Sequence, residues 1–218
     1  TTAGALQLAL GTDIVSYTDT SVTRKQVPNP GGPVDLKTDR STTRWGFSNQ
    51  SSVAFEGGYG LTDSIVVGGI LQLGGASRRD GVNWPRYANI NTLTSDTKYS
   101  TFNLLIAPKF DYMLLPTSAI RPFFGGAIGI LYQSEKVKAI QPSTTQTVWG
   151  VSETGLAILL RAGVRCFVTP GFSIDPALMF SWVPTASGSF DNGATSYDAS
   201  AHGYTIGLGV AASGWVGL

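Results

Sequence analysis

Large apolar residues recur at every second position in eight separate segments of this chain, and no apolar run is long enough to cross a membrane as a helix. Successive strand side chains point to opposite faces, so each parity class is one face. Leu6, Leu8, Leu10 and Ile14 oppose Gln7, Ala9, Gly11 and Asp13 in the first segment. The second, less regular, sets Val53, Phe55 and Tyr59 against Ala54, Glu56 and Gly58. The third sets Ile65, Val67, Leu71 and Leu73 against Ser64, Gly68, Gln72 and Gly74. The fourth runs Phe102, Leu104, Ile106, Phe110, Tyr112; the fifth Ile120, Phe124, Ile128, Ile130, Tyr132. The sixth has Leu156, Ile158, Leu160, Val164, Val168, the seventh Ile174, Leu178, Phe180, Trp182, and the eighth Tyr204, Ile206, Leu208, Val210.

One face is bulky, apolar and tipped with aromatics, whereas the other is small, with a few charges. A soluble barrel would fill its interior with the bulky face. Small and charged residues suit the cramped lumen of an eight-stranded barrel, and the bulky face suits lipid. Closure is then compulsory, because hydrocarbon cannot satisfy an open sheet edge. Charged residues make up only 13% of the chain, about half the level of soluble domains. A spanning helix would need roughly 17–25 apolar residues, and runs such as Ile65–Leu73 and Leu156–Leu160 are short and interrupted.

Connection lengths alternate in the same sense. Gly60–Asp63, Leu115–Ser118 and Thr169–Gly171 are tight turns. Residues 18–42, 76–97, 133–152 and 184–201 are long and polar. The expected fold is therefore all-β: an eight-stranded antiparallel up-and-down transmembrane barrel with three short periplasmic turns and four long extracellular loops, one domain over residues 1–218. Tyr59, Phe110 and Tyr112 fall toward the short-turn end of the apolar face, and Tyr132, Trp182 and Tyr204 toward the loop end, as interfacial girdles do. Pro108 lies inside a strand, where it calls for a bulge, while Pro122 and Pro176 lie near strand starts. Asn49 and Ser51 would meet lipid if the second strand began at Thr43, so residues 44–50 are expected to rise above the membrane or to contain a bulge.

Strand–turn–strand phrases such as Phe55-Glu56-Gly57-Gly58-Tyr59-Gly60-Leu61-Thr62-Asp63-Ser64 and Arg121-Pro122-Phe123-Phe124-Gly125-Gly126-Ala127-Ile128-Gly129 carry a family likeness. In them the chain resembles, over its whole length, the small outer-membrane barrel superfamily, with its A-type barrel domains, X-type proteins and opacity-type surface proteins. The chain departs from that pattern in ending on Leu218, where the family ends on an aromatic. The resemblance implies a bacterial outer membrane. Thr1–Gly4 lacks the features of a signal peptide, so the expected form is the mature one.

Some members of the superfamily are enzymes. Its lipid A deacylases carry His-x-Ser on one strand face, whereas the one histidine here reads His202-Gly203-Tyr204-Thr205. Its palmitoyl transferases use His, Asp and Ser near the outer surface; Asp198 and Ser200 are near His202 but read equally as solvated rim residues. A lone Cys166 of outward parity offers no disulfide and no metal set. No catalytic, metal or cofactor site is expected. The net charge of +1 gives no reason to expect nucleic acid.

The informative residues are charges of inward parity: Glu56, Lys109, Asp111, Arg121, Arg161, Arg165 and Asp175. Six fall in the strand halves nearest the short turns and Arg161 nearer the middle. Buried charges must pair, so an interlocked network is expected. It reads either as a plug or as a narrow gated path for ions or for small or hydrophobic solutes. With a plug, function moves to the outer loops: adhesion, recognition or docking to another envelope or surface protein, in a setting of outer-membrane lipid and lipopolysaccharide. Trp84, Tyr87, Trp149, Phe190 and Tyr197 are the candidate loop contact surface, or else pack the loops together.

Overall fold

The computed structural model describes residues 2–27, 30–45, 51–81, 96–140, 145–191 and 195–217. Nine antiparallel strands occur among them: β1 (Leu6–Val27), β2 (Val34–Trp45), β3 (Ser51–Gly60), β4 (Ile65–Gly81), β5 (Asp96–Met113), β6 (Ile120–Ile140), β7 (Thr145–Thr169), β8 (Phe172–Asp191) and β9 (Ser196–Val216). Consecutive strands pair from β3 to β9, and β1 closes the ring on β9 from Leu6↔Val216 to Arg24↔Ala199.

The ring nevertheless has eight positions. The lower part of β1 pairs with β3, from Leu6↔Tyr59 to Thr12↔Val53, and its upper part with β2, from Val15↔Trp45 to Val27↔Val34. β2 and β3 are thus two pieces of the expected second strand. Two residues separate Thr12 from Val15, whereas seven separate Trp45 from Val53, so the surplus chain falls on the stretch expected to leave the membrane. Most of that stretch, residues 46–50, lies outside the described residues. Among the described residues β2 pairs only with β1, and β4 pairs with β3 only up to Gly75. Hydrocarbon does not tolerate such an unpaired seam, so the seam stands above the lipid.

The outward face is as the alternation requires: Leu8 is 71% exposed, Leu160 54% and Leu178 62%. Two aromatic belts bound it. Tyr112 packs on Phe124 near the short turns, while Tyr17, Phe180 and Tyr204 cluster toward the outer end, where Phe102 meets Tyr132. Cys166 is half-buried between its outward partners Ile120 and Ile174.

Two features differ from expectation. The first concerns Pro108, which needs no bulge: it pairs in register with Gly69 of β4. On its other side pairing lapses for two residues on each strand, between Ile106↔Ile130 and Lys109↔Ala127, without a shift. A residue with no N–H ends the ladder locally, and equal spacing on both strands restores it. The second concerns the polar connections, most of which are strand. β1 and β2 pair out to Val27↔Val34, and β8 and β9 to Asp191↔Ser196. Above the lipid both faces of a strand meet water, and the period-two signal fades although the pairing continues.

Cysteine placed at Thr117, in a short turn, or at Lys37, on the β1–β2 hairpin, should separate the two ends. In a Cys166→Ser background on intact cells, a membrane-impermeant maleimide is expected to label only Lys37→Cys; labelling of Thr117→Cys alone would invert the orientation. Leu160→Arg puts a charge on the lipid face near midplane, with an expected loss of about 2–4 kcal/mol in the folding equilibrium in bilayers.

Candidate functional site: the charged lumen

The inward rows of six strands meet in the lower lumen in a closed circuit of polar contacts. The Lys109 ammonium donates to Glu56 Oε2 at 2.7 Å and to Gln7 Oε1 at 3.0 Å. Gln7 Nε2 donates to Ser213 Oγ at 3.2 Å, and Ser213 Oγ donates to Asp175 Oδ2 at 2.7 Å. Asp175 Oδ2 also accepts from Arg165 Nε at 3.0 Å, and Arg165 faces Asp111 at 3.7 Å. Asp111 is gripped by Arg161 in a two-pronged pair, Nε to Oδ1 at 2.8 Å and the terminal nitrogen to Oδ2 at 2.5 Å. Arg161 then donates its remaining prong to Glu56 Oε1 at 2.7 Å, which closes the loop.

Three carboxylates and three cations balance in this layer, and all but Arg161 are buried: Asp111 is 0% exposed, Arg165 1% and the Arg161 side chain 13%. Ion pairs between such groups are strong because little solvent screens them, and they are tolerable only when complete. Phe123 lies between the two guanidinium groups, its ring centre 5.5 Å from Arg161 and 5.0 Å from Arg165.

β4 and β6 contribute no polar member, and both place glycine at this level. Gly68 is the register partner of Lys109, and Gly125 stands between Asp111 on one side and Arg161 on the other. A Cβ on Gly125 would lie 2.3 Å from Asp111 Oδ1, so the pair can reach across β6 only over a bare backbone.

Six of the seven charges named from the sequence meet here. Arg121 does not. It sits nearer the inner mouth, donating from Nε to the Ser118 carbonyl at 2.7 Å and lying 4.2 Å over the Phe167 ring. Parity assigns a face but no partner: Arg121 is opposite Arg165 in register, yet its guanidinium turns to the Ser118 carbonyl and the Phe167 ring. Gln7 has inward parity, but a pattern of charges marks neither Gln7 nor Ser213 as a member because neither is ionised.

Apolar layers bracket the charges. Beneath them Ala5, Val66, Met113, Phe123 and Trp215 cluster with Phe167, and the indole Nε1 of Trp215 donates to Ser173 Oγ at 3.1 Å. Above them Ile70, Leu105, Ala107 and Ala157 pack with Leu131 and Leu159 in an inward collar. The doubled apolar steps Ile70-Leu71, Leu104-Leu105, Ile130-Leu131 and Leu159-Leu160 were the signal for that collar, as one member of each must face inward. A void of about 50 Å³ remains beside Arg161 and Asp175, room for a few waters and no larger solute. Higher up, a cavity of about 510 Å³ reaches from Ala157 and Leu159 to Trp149, Val22 and Arg24.

The outer aromatics are placed differently from the surface expected of them. Phe190 is only 8% exposed: a bulge between Val183 and Ala186 turns it inward, where it stacks on Tyr197 at 6.3 Å and carries Arg24 at 4.1 Å. It therefore offers no outer contact surface, and Trp149 lines the cavity. Trp84 and Tyr87 lie outside the described residues. Asp198, Ser200 and His202 alternate along the outward face of β9.

No protein-family model matches the chain, and no curated protein matches it in sequence. Among solved structures it is similar to the outer-membrane protease OmpT from Escherichia coli, at 10% identity over 97% of either chain with a TM-score of 0.51. It is also similar to the outer membrane protein OprG from Pseudomonas aeruginosa (13% identity, 97% of this chain and 96% of that one, TM-score 0.48). A third likeness is to Ail, the attachment invasion locus protein of Yersinia pestis, in complex with the heparin analogue sucrose octasulfate (15%, 97% and 99%, TM-score 0.44). The fold is that of the small bacterial outer-membrane β-barrels. The closed ring, the apolar belt and the aromatic edges are those of a barrel that spans the outer membrane.

Arg161→Ala takes from Asp111 its closest cation and leaves Glu56 to Lys109 alone, and removal of one partner from a buried pair typically costs about 3–5 kcal/mol. The unfolding midpoint of the barrel in detergent should fall. The double variant Arg161→Ala/Asp111→Asn leaves two balanced pairs, Lys109–Glu56 and Arg165–Asp175, and should recover part of the loss in a double-mutant cycle. Gly125→Ala, which alters no charge, is expected to destabilise by about 1–3 kcal/mol through overpacking against Asp111.

Proposed function

We propose that this barrel is closed to through-flow and acts from its outer end, as a surface element for recognition, adhesion or docking within the envelope. The carrying observation is the circuit through Arg161: every strand position supplies either a member or the glycine that lets the members meet. An open pore leaves its wall charges to water; here they are spent on one another, with apolar layers above and below. The long β1–β2 and β8–β9 hairpins carry paired strand above the lipid, within reach of lipopolysaccharide and of other envelope or surface proteins. In this reading the protein is not an enzyme, and the outward row Asp198, Ser200, His202 is a solvated rim.

Planar-bilayer recordings test the closed lumen. The parent should show no steady conductance, and Arg161→Ala should open small steps together with its loss of stability. A parent that conducts, whose ion selectivity changes in Arg161→Ala at an unchanged unfolding midpoint, would be a channel. Affinity capture from native outer membranes should then recover an envelope component that is lost when residues 25–36, the hairpin tip, are replaced by a short turn.

A further inference from the structure

One inward rung above the collar is chemically unlike the rest of the lumen. Asn103, Gln133 and Glu153 are direct cross-strand partners on β5, β6 and β7, all facing the 510 Å³ cavity. Glu153 is only 2% exposed. Its Oε2 accepts from Gln133 Nε2 at 2.7 Å, but its Oε1 has no partner, and neither has Asn103 Oδ1. No cation pairs with Glu153 among the described residues, in contrast to Glu56, Asp111 and Asp175 deeper down. A buried carboxylate is normally kept only with a partner, and one left unfilled in the wall of a cavity points to a donor from outside the chain. Immediately below, Leu105 and Leu131 form the next inward rung, roughly 7 Å away at two strand residues' rise.

We infer that the upper lumen is a binding site for a small amphipathic organic cation, its ammonium held by Glu153 and its apolar body laid on Leu105, Leu131 and Leu159. The cavity volume is in the range of small-molecule sites, and the mix of an apolar floor with a few convergent polar atoms is what such sites share. Asp13 lines the same cavity, as does Arg24, which lies on the Phe190 ring at its outer end. The inference rests on the reading of the lumen as closed below the collar, which makes this space a pocket and not a passage.

The test uses the full barrel in lipid nanodiscs, titrated calorimetrically with hexylammonium, hexanol and hexanoate against empty nanodiscs. Hexylammonium should bind at one site, at least tenfold more weakly in Glu153→Gln, while the alcohol and the carboxylate show no saturable site. Equal heats in parent and Glu153→Gln would mean partition into lipid and overturn the proposal, as would no binding to the parent or hexanol binding as well as the amine. If Glu153→Gln does not fold, Asn103→Asp carries the test: a second carboxylate in the rung should tighten hexylammonium severalfold, and an unchanged affinity overturns the site. Conductance of the parent, measured separately, reports on the closed lumen alone, so the two readings fail independently.

Discussion

Arg161 is the point at which the lower lumen becomes one object instead of a set of charged walls. Its guanidinium takes both oxygens of Asp111 and one of Glu56, and thereby joins three strands that are not neighbours. In a low-dielectric lumen an incomplete set of charges would be worse than none. The circuit therefore constrains its surroundings: three acids against three bases, Gln7 and Ser213 as neutral relays, and bare backbone at Gly125 beneath the pair.

The barrel's vertical order follows from that layer. Aromatic and aliphatic side chains close the inner mouth, and a leucine collar caps the charges from above. Only above the collar does the lumen widen, where Glu153 has no counterion among the described residues. The wall relaxes at a comparable height. The second strand position passes from β3 to β2 with surplus chain between them, and among the described residues β4 pairs beyond Gly75 only with β5. Bilayer demands end there, so pairing no longer has to be complete.

Much of this was legible because lipid imposes a simple code. An outward residue such as Leu8 or Leu178 must be apolar, an inward one small or paired, and the two alternate without relief across the membrane. The code stops at the water line. Thus residues 18–42 read as loop although most pair as strand, and Phe190, which reads equally as contact surface or as loop packing, is turned into the lumen by a bulge. Pro108 misled in the opposite direction, since a missing donor interrupts one ladder without shifting its register.

The amino-acid order by itself determined the barrel, its inward and outward faces and the charges that share the lumen, because each is a consequence of a two-residue period read against lipid. Only the tertiary structure decided which charges meet. Which partner an inward charge reaches depends on strand tilt and register across the closed ring, and neither is a local property of any strand. For that reason Arg121 stays at the inner mouth on the Phe167 ring, while Arg161, forty residues later in the chain, reaches Asp111 across Gly125.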